Sequence, residues 1–195
     1  MLKDRIIYEA GLPVNVIISK IQEIPIHFHE DLEILLVLSG AVTLKNGFYV
    51  ENLKEGDLFI LNARELHSYY RNAEENIVLI LQINLDYFSR YFDHLRNSFF
   101  VAEPNDSYDE GLDPLRRLMA KLAREPTARN SGYQRRMVEG VTSLLSCLFE
   151  EFQYFALEEG HFVNETRNKG NKVLAGRLSR ITDYLYEHYE ERLTL

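Results

Sequence analysis

Short runs of β-branched and aromatic residues, each closed by a turn signal, follow one another through residues 1–100, and nothing else in the chain restricts its fold so much. They lie at 14–19, 32–38, 41–45, 48–51, 57–61, 67–71 and 76–83. Asn46-Gly47 separates two of them, a pair that tolerates the two positive φ angles of a type I′ hairpin turn, and Gly56 marks another turn. Many short strands at close spacing predict a sandwich or small barrel around a central cavity.

Beyond residue 83 the hydrophobic period changes from two to that of a helix. Tyr87, Phe88, Tyr91 and Phe92 predict a helix over 85–95 that packs on the barrel, and 103–110 reads as a loop. Asp113 offers an N-cap acceptor with Pro114 at the first helical position; Leu115, Leu118, Met119 and Leu122 form an apolar face, and Pro126 is expected to end the helix. The longest predicted helix, 133–157, carries Met137, Val141, Leu144, Leu145, Leu148, Phe152 and Phe155 on one stripe. That stripe either docks on the chain's own barrel or preceding helix, or pairs with a second subunit. Residues 160–170 read as a polar linker, followed by a helix with Leu174, Leu178, Ile181 and Leu185 on one face. Thr194 has the character of a helix cap with no helix after it, so the chain is expected to be cut short at Leu195. The predicted class is α+β.

Composition sets limits on function. A net charge of -8 argues against nucleic-acid binding by this stretch, because phosphate neutralisation needs clustered Lys and Arg. One cysteine, Cys147, cannot make an intrachain disulfide and reads as a small buried hydrophobe; with no leader-like start, a reducing cytoplasm is expected. No apolar run reaches membrane-spanning length. Hydrolase and nucleotide-binding readings find no Gly-x-Ser-x-Gly and no phosphate loop to rest on.

The chemistry-bearing residues gather in two places. If one strand runs unbroken through His27, His29, Asp31 and Glu33, alternation points all four the same way, and His67 arrives from a second strand pair. Three imidazoles and a carboxylate suit Zn, Fe, Mn or Ni. The same set would also line a polar ligand pocket, with Tyr49, Phe59 and Tyr69 as candidate aromatic walls. A purely structural reading has His27 and His29 partly solvated and hydrogen-bonded to Glu33 or Asp31. His94, His161 and His188 have no partner spacing and read as surface residues.

The spacing of His27, His29, Glu33 and Gly40 resembles the first motif of the cupin superfamily, and 56–67 resembles the second, with Asn62 in place of proline, Arg64 of glycine and, beyond it, Arg71 of asparagine. A cupin-like barrel, a long helix, a linker and the ending from Leu178 to Leu195 together resemble the AraC family of transcription regulators. That resemblance implies a double-stranded β-helix (jelly-roll) over 1–100, a helical dimerisation region and linker over 101–170, and the first helix of a DNA-binding domain over 171–195. It implies a non-enzymatic protein that binds a sugar or other polar metabolite through His27, His29, Glu33, His67, Tyr49, Phe59 and Tyr69. A homodimer through Met137, Val141, Leu144, Leu148 and Phe152 follows, with DNA read only by a helix-turn-helix beyond Leu195 and residues 1–13 as a lid. The alternative is a metal-dependent cupin enzyme or metal-sensing cupin using His27, His29, Glu33 and His67.

Overall fold

A computed structural model describes residues 2–9, 11–47, 49–72, 75–101, 112–128, 131–152, 154–158 and 161–164. The barrel strands are β1 (Leu2–Lys3), β2 (Val14–Ser19), β3 (Glu23–Phe28), β4 (Leu32–Ser39), β5 (Ala41–Asn46), β6 (Tyr49–Lys54), β7 (Leu58–Leu61), β8 (His67–Arg71) and β9 (Ile77–Ile83). A one-turn helix α1 (Leu85–Phe88), a 3₁₀ turn at Leu95–Asn97 and β10 (Ser98–Phe100) follow, then α2 (Asp113–Ala128), α3 (Tyr133–Glu151), β11 (Tyr154–Glu158) and β12 (His161–Asn164). A five-stranded sheet of order β1-β3-β8-β5-β6 faces a four-stranded sheet of order β2-β9-β4-β7, and β10-β11-β12 form a third. This is the expected cupin-like β-sandwich with helices added.

Alternation explains why the four-stranded sheet is so apolar. On β4, Leu35 and Val37 point between the sheets and meet Val42, Leu44, Phe59 and Ile80, whereas Ile34 and Leu36 point outward. The outward face, with Ile60, Leu79 and Leu81, is covered by Leu115, Met119 and Leu122 of α2 and by Met137, Val141, Leu144, Leu145 and Leu148 of α3. Both faces are thus buried, as in a sheet clad by helices. Gly140 lets the helices approach: a Cβ there would lie 2.7 Å from Leu122 Cδ2.

The α3 stripe is therefore committed to the chain's own core. Met137, Val141, Leu144 and Leu148 are at most 1% exposed, so they are not free to pair with a second subunit. Phe152 caps the helix in an extended conformation (φ -102°, ψ 149°), half-buried against the same core. The helix ends at Glu151 rather than 157 because the aromatic run after it has strand propensity and β10 offers an edge; Phe155 pairs with Phe99. Residues 161–164 of the expected linker are β12, paired back on β11.

Other expectations shift for local reasons. The helix predicted over 85–95 lasts one turn, capped by Asn84, whose side chain accepts from Tyr87 N. Pro126 lies inside the last turn of α2 instead of ending it. The β5–β6 loop is one residue later than expected, since Asn46 still pairs with Tyr49, and Gly47 supplies the positive φ of 57°. The loop over 103–110 and the helix from 171 lie outside the described residues. No described helix is long and apolar enough to cross a membrane.

Candidate functional site

His27, His29 and Glu33 converge, but not along one strand. β3 ends at Phe28, residues 29–31 turn the corner from the five-stranded to the four-stranded sheet, and β4 starts at Leu32. A register shift between Ile24 and His27 marks a bulge around Pro25, which spares the ladder a hydrogen bond that proline cannot make. His27 then pairs with His67 across β3 and β8. Asp31 leaves the group: its side chain faces Tyr8 and the main chain near Leu85. Arg64, in place of the motif's glycine, holds the left-handed φ of 68° that glycine adopts freely, and its N–H donates to the His29 carbonyl at 2.7 Å.

Each imidazole is pinned the same way. Nδ1 of His27 donates to Pro25 O (2.8 Å), that of His29 to Asp31 O (2.9 Å) and that of His67 to Glu65 O (2.9 Å). A carbonyl only accepts, so all three rings carry a proton on Nδ1, which leaves Nε2 as the ring atom turned toward the site. One ligand atom from each histidine lies within 4.8 Å of the others, and ring centroids of His27 and His67 are 4.2 Å apart. His29 and His67 are each 1% exposed, and their Nε2 atoms have no hydrogen-bond partner.

Glu33, 2% exposed, faces this group. Its Oε2 is 3.4 Å from His29 Nε2 and its Oε1 3.9 Å from His67 Nε2, near enough to attract either ring when it is protonated, but too far for good hydrogen bonds. Tyr69 OH donates to Oε1, and Gln82 Nε2 donates to Oε2 at 3.0 Å. Burial pushes Glu33 up, yet His29, His67 and Tyr69 outweigh it and hold the carboxyl at about 2. Burial lowers His67 to about 4 despite Glu33, so it is neutral at pH 7. For His29 burial works downward, but the Glu33 carboxylate wins and raises it. Burial, then Glu33, raises Tyr69 well above its usual range.

The aromatic residues divide. Tyr69, 1% exposed, is at the site. Phe59 pairs with Leu35, a layer deeper than Glu33, and belongs to the apolar filling between the sheets. Tyr49, 73% exposed at the end of edge strand β6, is no pocket wall. The barrel is accordingly solid below Glu33 and polar at one end.

Sequence reasoning passed over Gln82, although a lone amide inside the apolar run 77–83 is a signal, since a buried amide needs partners. It also passed over Asn15, whose Nδ2 donates to Gln82 Oε1 (3.2 Å) and to Ile7 O (3.0 Å), linking the site to the N-terminal arm. That arm runs beside β3 in parallel, and Lys3 reaches Glu30 at 2.9 Å. Between the arm and the barrel's corner loops lies a cleft of about 1130 Å³ lined by Arg5, Tyr8, Glu30, Asp31, Arg64, Asp86 and Arg96, among others.

A double-stranded β-helix with imidazoles and a carboxylate gathered at one end of the barrel defines a cupin-type domain. A family model described as the AraC-like ligand binding domain matches residues 21–165, and the chain belongs to that family. No curated protein matches the chain. Among solved structures it is similar to oxalate decarboxylase of Bacillus subtilis: the structure at pH 4.6 is 15% identical with a TM-score of 0.36, covering 38% of this chain and 22% of that one. A structure of the same enzyme concerned with its Mn(II) centres gives 16% identity and the same TM-score of 0.36 over 37% and 22%. The chain thus spans about a fifth of those proteins, a likeness too slight to bear on activity.

Proposed function

We propose that this chain is the effector-sensing part of a cytoplasmic transcription regulator, not an enzyme, and that His27, His29, His67 and Glu33 hold a divalent transition metal at the sensing end of its barrel. The observation that carries the metal is the pair of buried, partnerless Nε2 atoms on His29 and His67, each aimed by a carbonyl behind its ring. Two such acceptors beside a carboxylate held ionised by its surroundings form a donor set waiting for a cation. A bound ion would supply Lewis-acid attraction for the oxygen atoms of a polar metabolite. Tyr69 and Gln82 orient Glu33, and the arm covers the adjoining cleft.

Sensing is a population shift: an effector alters DNA binding only through its different affinity for two arrangements of the regulator. Contact with DNA is assigned to a helix-turn-helix beyond the described residues, in keeping with the net charge of -8 here. A second copy of the chain is the proposed partner, meeting it through surfaces other than the buried α3 stripe.

Metal analysis of protein purified without added metal, with thermal melts before and after chelation, tests the reading. Near-stoichiometric metal, a higher melting temperature when loaded, and loss of both in His29→Ala are expected. No metal, and no change on adding Zn²⁺ or Mn²⁺, would overturn it. A polar metabolite that raises the melting temperature of chelator-treated protein would instead favour a second reading, in which His67 and Glu33 contact the effector directly.

A further inference from the structure

The second cupin-like motif departs from its pattern at Asn62, a residue the proposed function leaves unused. It is 3% exposed, just past β7. Its side-chain amide pairs both ways with the main chain of Phe100 in β10: Nδ2 donates to Phe100 O at 2.9 Å, and Oδ1 accepts from Phe100 N at 2.7 Å. The Glu65 carboxylate grips the same residue, accepting from Asn62 N (2.6 Å) and Nδ2 (3.2 Å). Glu65 also provides the carbonyl that takes the Nδ1 proton of His67. On the other side, Phe100 pairs with Tyr154 of β11, and β11 pairs with β12. A continuous series of hydrogen bonds thus runs from a candidate ligand to the hairpin at the far end of the described chain.

The geometry points to Asn62 as a positioning residue that couples the histidine site to the β10–β11–β12 sheet. Docking of β10 fixes the turn over 62–65, and that turn fixes the His67 ring. Coupling between two sites is reciprocal, so occupation of the site must in turn favour the docked hairpin. Any change sensed at the imidazoles thereby reaches β12, whose last residue, Asn164, leads in sequence into the linker that precedes the part of the chain assigned to DNA binding.

Two readouts rest on the metal reading above and one does not. Zn²⁺ affinity by calorimetry is expected to fall about 10-fold in Asn62→Ala, as is usual when a partner behind a ligand is lost. Hydrogen exchange over 154–164 is expected to slow on adding Zn²⁺ to the wild type and to lose that response in Asn62→Ala. The ¹⁵N spectrum of His67 at fixed neutral pH is expected to show the proton on Nδ1 in the wild type and a mixture of tautomers in the variant. Glu65→Ala keeps the carbonyl behind His67 and removes the grip on Asn62 together with one long hydrogen bond from Asn46 (3.4 Å), so it is expected to act the same way and stands in if Asn62→Ala does not fold.

Asn76→Ala is the control for destabilisation alone. Asn76 makes the same two-way amide pairing, with Ile21 (2.8 and 3.0 Å), but at the end of β9 away from Glu33. It should leave affinity and tautomer unchanged. If Asn62→Ala leaves the His67 tautomer as in the wild type, or matches Asn76→Ala in every readout, the coupling is refuted. If the wild type takes up no Zn²⁺, the metal reading fails by itself, and the tautomer together with basal exchange over 154–164 still decides the coupling.

Discussion

A histidine whose Nδ1–H is held by a carbonyl presents its other nitrogen in a fixed direction, and here two do so from inside the protein. The carboxylate they face is itself aimed by Tyr69 and Gln82. Tyr69→Phe removes one donor and little volume, so the fold should persist while Zn²⁺ affinity drops about 10-fold by calorimetry. Acid should act through His67. Its pKa is about 4 when folded against 6.5 in the unfolded chain, so between those pH values only the unfolded state takes up its proton. Stability of the metal-free protein is therefore lost as pH falls from 6.5 toward 4. His29 is raised, so its contribution is already complete below 6.5 and adds no slope there. Glu33 acts in the same sense as His67 but only below 4.5. Glu65, raised chiefly by burial, opposes the trend equally in wild type and variant. Urea melts at pH 7 and pH 5 should show a smaller loss in His67→Asn than in the wild type.

At the scale of elements, the α3 stripe decides whether the domain folds. Leu144, at 0% exposure, lies between α2 and the outer face of the sheet. Leu144→Ala is expected to cost about 2–5 kcal/mol in denaturant melts, and Val141→Asp to prevent folding rather than release a folded monomer, which circular dichroism and sedimentation together would reveal. The stripe's spacing was plain in the sequence, but its partner was not, because a buried face reads the same whether a sheet or a second chain covers it. Strands that alternate or sit between turn residues, such as β2, β5 and β9, were legible to within a residue or so. β3 was missed because Pro25 reads as a strand breaker, and the bulge that accommodates it is a matter of pairing. The site residues His27, His29, Glu33 and His67 were legible from spacing, while the corner that brings them together was not. Gln82, Asn15 and Asn62 act through neighbours far away in the chain, which no local pattern records.

In the molecule as a whole, the arm and the site are one assembly. The arm runs as a strand beside β3, its Ile7 carbonyl meets Asn15, and Asn15 meets Gln82, which holds Glu33. The exposed Lys3–Glu30 pair adds little to stability by itself. Removing residues 1–8 is expected to leave the barrel folded, to shift its melting temperature only slightly, and to speed chelator stripping of bound Zn²⁺ several-fold; an unchanged stripping rate would mean that the arm does not guard the site. The cladding of the four-stranded sheet carries a practical warning for anyone wishing to graft this sensor elsewhere. A fragment stopped at residue 100 would bare Ile34, Leu36, Ile60, Leu79 and Leu81 as one greasy wall. It would clump in the test tube, so the smallest transplantable unit has to bring its helical coat along.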